Sequence, residues 1–359
     1  MKKLFISALG ALAALCGALP AFAQSQPDNS PFGQALIFGF RGTNANDAQV
    51  QELCASLAAG RAGGVLFLGH NMRNAAQVSE LTALFEGCAQ RGGHNAIIAI
   101  DQEGGRVDRL GRLPEFARVP SFADLAQVGN DEELADIWFE MASDLVELGF
   151  NVNFAPVVDL AINPRNPVIA RYERSLSDDP NVVRNLSALF IETHQLAGMR
   201  TVLKHFPGHG SSTTDTHRDV TDITATWSAI ELEPYSLADT TQTAVMTGHL
   251  IHADLDSTLT PASLSASMQQ AFLREKFGFN GVIVSDDLRM GALRDIGSIE
   301  RLSVMAAQAG TDLLIYSAHS TQNETAINQA LAATCALGVG GNTCLGVNRQ
   351  RVERWMGWE

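Results

Sequence analysis

Eight short apolar runs, each bounded by glycine or polar residues, punctuate this chain and limit what it can fold into. They read ALIFGF (35–40), GVLFLG (64–69), AIIAID (96–101), VNFAPVVD (152–159), TVLKHF (201–206), AVMTGHL (244–250), GVIVSDD (281–287) and DLLIYS (312–317). Between them lie segments of helical spacing, such as DAQVQELCASLAAG before the second run and PASLSASMQQAFLREKFG before the seventh. Continuous apolar strands alternating with helices imply a parallel sheet covered on both faces. Eight such units predict an α/β fold closed as a single (β/α)8 TIM-type barrel over 34–359, with an open doubly wound sheet as the alternative. The final stretch, VNRQRVERWMGWE, reads as a terminal helix packed down by its tryptophans.

The first 23 residues read as a secretion signal. Lys2 and Lys3 precede an apolar run from Leu4 to Leu19, and Ala21-Phe22-Ala23 gives an A-x-A cleavage pattern. A retained anchor would need roughly 20 apolar residues without a cleavage site. Cys16 suggests a lipoprotein, but Leu15 before it is too bulky for that processing. Residues 24–33, polar with two prolines, read as a flexible leader. The expectation is a periplasmic or secreted protein with no membrane insertion after cleavage.

Loss of Lys2 and Lys3 takes the formal charge from −14 to −16, which argues against nucleic acid or anionic lipid as partner. Cys54, Cys88, Cys335 and Cys344 remain after cleavage, an even number in an oxidising compartment. Pairing Cys54 with Cys88 would tie two early helices, and Cys335 with Cys344 would close the GVGGN loop. Four free thiols are the alternative. No C-x-x-C spacing favours zinc.

Polar residues crowd the predicted C-terminal ends of the strands, where a barrel of this kind carries its active site. These ends read DQEGGRVDRL, NPVIARYERSLSDDP, KHFPGHGSSTTDTHRD, TGHLIHADLD and SDDLRM. Asp286 and Asp287 are adjacent on a strand, so one aims into the pocket and the other bonds to backbone. Both could instead cap the following helix. His205, His209 and His217 invite a metal reading, but Pro207 and Gly208 forbid the helix that would align the first two rings. Asp215 stands two residues before His217 and can accept from its ring N–H, which suits proton transfer. A structural Asp–His contact would look the same in sequence.

IDQEGGRVDRL, KHFPGHG followed by D-T-H, and GFNGVIVSDDLRM occur in an order that resembles the single-domain β-N-acetylhexosaminidases of glycoside hydrolase family 3, from about Gly33 to beyond Gly310. The resemblance implies a retaining double displacement with Asp286 as nucleophile, His217 as acid/base and Asp215 as its partner on a mobile loop. It assigns the hydroxyls of the non-reducing sugar to Asp101, Arg109, Arg174, Lys204 and His205. Asp287, Glu103, Arg106 and His209 take supporting positions. The implied substrates are β-N-acetylglucosaminide oligosaccharides or peptidoglycan fragments, with no metal and no cofactor. The chain departs from the family in its export signal and in Tyr172 and Leu176, where glycine and phenylalanine are more usual. Competing readings are a family 3 β-glycosidase of other specificity, a phosphorylase and a catalytically silent glycan-binding protein.

Overall fold

The structure, a computed structural model, describes residues 32–238, 242–336 and 349–358. The expected signal, most of the leader and the Cys335–Cys344 pairing lie outside the described residues.

Each apolar run forms a strand: β1 Leu36–Gly39, β2 Gly64–Phe67, β3 Ile97–Ile100, β4 Val152–Asn153, β5 Arg200–Phe206, β6 Thr243–Thr247, β7 Ile283–Ser285 and β8 Leu314–Tyr316. They form one parallel sheet in the order β8-β1-β2-β3-β4-β5-β6-β7. The sheet closes on itself through a parallel bridge between Val284 and Leu313, where Ser285 N–H donates to Leu313 O at 2.9 Å. Closure settles the choice between barrel and open sheet.

The helices are α1 Ala48–Ala58, α2 Ala75–Arg91, α3 Asp131–Glu147, α4 Pro180–Ala197, α5 Ser267–Lys276, α6 Ile299–Ala309, α7 Thr321–Ala336 and α8 Arg349–Met356. Local chemistry sets their ends. Asp179 accepts from Asn181 N–H ahead of Pro180 at the first turn of α4, and Gly198, at φ 90°, ends it in a left-handed conformation that a side chain would strain. Two connections depart from the alternating pattern. Between β5 and β6 the chain forms a 3-10 segment, Ala229–Leu237, with Pro234 inside it. α5, expected as an ordinary helix, is π-type.

Period-two alternation along the strands builds two cores. Ile37, Leu66, Ile97, Ala99, Val152, Phe154, Val202, Met246, Val284 and Ile315 fill the barrel. Their neighbours Phe38, Val65, Ile98, Ile100 and Tyr316 face the outer helices. α8 plugs the N-terminal end: Trp355, fully buried, joins the inner core, and its Nε1–H donates to Gln242 O just before β6. Arg351 adds an ion pair of 2.6 Å to Asp312, just before β8. Cys54 of α1 and Cys88 of α2 form a disulfide with 5.3 Å between their Cα atoms, as the pairing predicted. Among the described residues no helix is long and apolar enough to cross a membrane.

Trp355→Ala empties the base of the barrel and is expected to cost about 3–5 kcal/mol, read as a lowered midpoint in urea denaturation.

Candidate active site

Opposite the α8 plug, the C-terminal strand ends open into a cavity of about 660 Å3. Its floor is apolar, formed by Leu66, Phe154, Met246 and Ile315 of the inner core. Its walls carry every residue assigned from sequence: Asp101, Arg109, Arg174, Lys204, His205, Asp215, His217 and Asp286.

One wall is a chain of alternating charges. Lys204, which is 2% exposed, donates to Asp101 Oδ1 at 2.8 Å and to Glu103 Oε1 at 2.8 Å. Arg174 grips the same Glu103 with two bonds of 2.8 Å. Burial pushes the Glu103 carboxyl up, but the Arg174 and Lys204 charges outweigh it and hold Glu103 well below the usual carboxylate range. Burial likewise acts to discharge Lys204, and Asp101 and Glu103 reverse it. The groups are fixed before any ligand arrives, and each retains hydrogen-bonding capacity for sugar hydroxyls. Arg109 adds a buried Nε–H with no partner among the described residues.

Lys204 and His205 both line the cavity, and the peptide between them is cis. His205 is oriented by Asp159, which closes the fourth apolar run and was not singled out from sequence. Asp159 Oδ2 accepts from His205 Nδ1 at 2.7 Å, while Oδ1 accepts the N–H groups of His205 and His209. His205 Nε2 is left for the cavity.

Just past the end of β7 both aspartates border the cavity, although alternation predicted one, and they differ in their hydrogen-bond partners. Asp287 Oδ1 accepts the N–H groups of Ser317 and Arg289, at 2.9 and 3.0 Å. Burial, with repulsion from Asp286, raises the Asp287 pKa. Asp286 Oδ1 accepts the Asp287 N–H at 2.8 Å. Burial pushes Asp286 up, but His249, His205, His217 and that N–H outweigh it and hold its pKa to about 2. Asp286 is therefore anionic at neutral pH. His249, fully buried, donates from Nε2 to Asp287 O at 2.9 Å. The TGHL motif marked this strand end as polar, but nothing in it identified His249.

Asp215 and His217 lie on the loop that follows β5. Asp215 Oδ1 accepts from His217 Nδ1 at 2.8 Å and from His217 N–H at 2.9 Å. Burial tends to raise Asp215, and these bonds with the His217 charge lower it on balance. The His217 side chain is 62% exposed, whereas Asp286 is half-buried. The loop's root is held: Asn166 Nδ2 donates to His209 O, Gly210 O and Ser212 Oγ. Thr221–Asp222 beyond it pairs with Leu250–Ile251. The small residues that suggested mobility divide accordingly, Ser211 and Ser212 being buried while Thr213 and Thr214 are exposed.

His209 is a strut within this loop. Its Nδ1 meets Ser212 Oγ at 2.7 Å and its Nε2 meets Thr216 Oγ1 at 3.1 Å. Burial, reinforced by His205, lowers its pKa to about 4, so it is neutral at pH 7. Arg106, assigned a supporting place with Glu103 and His209, lines the cavity as they do, its guanidinium 4.9 Å from the Tyr172 ring centre. Among the described residues no group of three or more His, Cys, Asp or Glu side chains could hold a metal ion.

Glu103→Gln strands Lys204 and Arg174 with excess buried positive charge. It is expected to lower stability by about 3–5 kcal/mol in urea denaturation and to raise KM for any substrate of this cavity.

Comparison with known proteins agrees with this geometry. A family model described as "Glycosyl hydrolase family 3 N terminal domain" matches residues 34–338. A beta-hexosaminidase of Xylella fastidiosa (strain M23) is 31% identical over 332 residues, spanning 90% of this chain and 93% of that protein. One from Tolumonas auensis is 36% identical over 264 residues, spanning 70% and 75%. Among solved structures, a glycoside hydrolase family 3 beta-N-acetylglucosaminidase from Paenibacillus sp. str. FPU-7 superposes with TM-score 0.82 at 29% identity, over 93% of this chain and 62% of that one. A beta-N-acetylhexosaminidase from Beutenbergia cavernae gives TM-score 0.78 at 26% identity, over 91% and 98%. With the family model spanning most of its length and these relatives sharing its barrel, the chain belongs to glycosyl hydrolase family 3.

Proposed function

We propose that this chain is a retaining, exo-acting β-N-acetylglucosaminidase in which Asp286 is the nucleophile and His217 the acid/base. The observation that carries the reading is an anionic carboxylate at a strand end, in a cavity whose rim also bears an Asp–His pair.

In the first step Asp286 attacks the anomeric carbon while the bond to the leaving oxygen breaks, and His217 gives that oxygen its Nε2 proton. The products are a glycosyl ester on Asp286 and the free alcohol. In the second step water gives a proton back to His217 as its oxygen attacks the same carbon, and Asp286 leaves as carboxylate. Asp215 holds the Nδ1–H throughout, which fixes the tautomer and stabilises the imidazolium. A histidine is either neutral or cationic, so it never opposes the anionic nucleophile as a second carboxylate would. Asp101, Arg109, Arg174, Lys204 and His205 hold the hydroxyls of the terminal sugar.

Substrates are terminal β-linked N-acetylglucosaminides of peptidoglycan or chitin-type fragments, met in the periplasm or outside the cell. The export pattern in residues 1–23 and the Cys54–Cys88 disulfide support that location. The beta-hexosaminidase names of the curated relatives support the sugar. Phosphorolysis is the competing chemistry, because a histidine acid/base does not repel phosphate as a carboxylate would. Product analysis with and without phosphate separates the two, and sugar 1-phosphate would identify a phosphorylase.

The mature protein is expected to release nitrophenol from the β-N-acetylglucosaminide far faster than from the β-glucoside, with Asp286→Ala abolishing turnover. His217→Ala should lower kcat about 10²–10⁴-fold on substrates with poor leaving groups and much less on nitrophenyl ones. Equal rates on the two sugars would point to a broader β-glycosidase, and no turnover of either to the binding-protein reading. Cell fractionation should place the activity outside the cytoplasm, and a cytoplasmic enzyme with its first 23 residues intact would overturn the export reading.

A further inference from the structure

A buried carboxylate outside the reaction sequence touches the loop that carries Asp215 and His217. Glu231 is 1% exposed and lies in the 3-10 segment Ala229–Leu237. Its Oε1 accepts the N–H of Ser228 at 3.4 Å, capping its own segment. Its Oε2 accepts the N–H of Ser211 at 3.2 Å, at the root of the catalytic loop. Beside it Trp227 Nε1–H donates to Pro207 O at 3.0 Å, so the stretch from Trp227 to Glu231 grips the loop root twice. Gly208 makes the approach possible. At φ +123° it would place a Cβ 2.6 Å from the Glu231 Cβ and 2.9 Å from Oε2, which leaves no room for a side chain. Beyond Ser211 the His209 strut to Ser212 and Thr216 carries the restraint to the catalytic pair.

We propose that Glu231 is a positioning residue for the reaction: it clamps the loop root at Ser211 and so fixes where Asp215 and His217 meet the substrate. The proposal rests on the reading of His217 as acid/base. A carboxylate grips an N–H more firmly than the neutral acid does, so the clamp depends on pH. Burial first, then repulsion by Asp159, pushes Glu231 up to about 7 against the bonds from Ser211 and Ser228. Asp159, in the loop after β4, and Tyr235, on its own segment, are the titratable groups facing it. His205 and His209, from β5 and the loop, connect through Asp159. The helix α4 shares with the segment an apolar cluster that includes Phe190, Leu232 and Tyr235.

The clamp is loosest below pH 7 and tightens above it. Because the folded-state pKa is raised above the ordinary glutamate value of 4.5, Glu231 contributes stability that is lost as pH rises from about 4.5 through 7. Both effects are read on the whole protein. In the wild type the kcat/KM profile should contain an ionisation near 7 that Glu231→Gln removes. That variant should lose on the order of tenfold in kcat on alkyl N-acetylglucosaminides, which need protonation of the leaving group, with little loss on nitrophenyl ones. The Ser211 amide resonance of the wild type should titrate with the same midpoint, a reading that needs no variant to fold. A Glu231→Gln profile that superimposes on the wild type, or a Ser211 amide insensitive to pH between 5 and 9, overturns the proposal. If His217→Ala leaves the leaving-group dependence unchanged, the functional reading itself is wrong and the proposal falls with it.

Discussion

A filled barrel is the constraint on which the rest of the molecule depends. Alternate side chains of the strands meet in the interior, and Trp355 closes one end. Polar groups on the strands cannot be accommodated within that apolar lumen, so they collect where the strands run out. The topmost lumen residues, Leu66, Phe154, Met246 and Ile315, then become the floor of the cavity. One packing decision thus gives the fold its core and the site its location and shape.

Desolvation decides how the polar groups above that floor are arranged. Each buried charge would cost several kcal/mol alone, so each is met by a partner. Glu103 stands between Lys204 and Arg174, and Asp159 is satisfied by His205 Nδ1–H and two backbone N–H groups. Asp286 has no lysine or arginine partner among its strongest influences; histidines and one N–H hold it ionised. Glu103 and Asp159 are thereby committed to structure. The carboxylate without such a partner is the proposed nucleophile.

The strands, their number and the motif residues were legible in the sequence because each depends on local order: period-two alternation, glycine boundaries and fixed spacing. Closure was legible only through the count of eight units, since the contact between Val284 and Leu313 has no local signal that an open sheet would lack. Asp159, His249 and Glu231 escaped notice for a related reason. Each acts across 20 or more residues of chain separation: Asp159 on His205, His249 on Asp287, and Glu231 on Ser211. An acid at the end of an apolar run or inside an ordinary cap does not say which side chain it will meet. Arg106 too is placed by contacts distant in the chain. Its motif position suggested support, and only the fold of the β3 loop brings it over Tyr172 on the cavity wall.

The two catalytic groups proposed here have opposite surroundings, and the chemistry explains the division. A nucleophile has to be fixed and stay anionic, which suits a half-buried place just past a strand end, among histidines. An acid/base has to give a proton to the leaving group and take one back from water in each turnover, which suits an exposed ring on a loop. Exposure sacrifices the positional certainty that packing would supply. The hydrogen bonds at the loop root, from Asn166, Trp227 and Glu231, restore it at a distance from the reacting atoms and leave the tip free to admit substrate. Rigid root and open tip are therefore two parts of one solution: the barrel positions the loop's base, and the loop carries the proton.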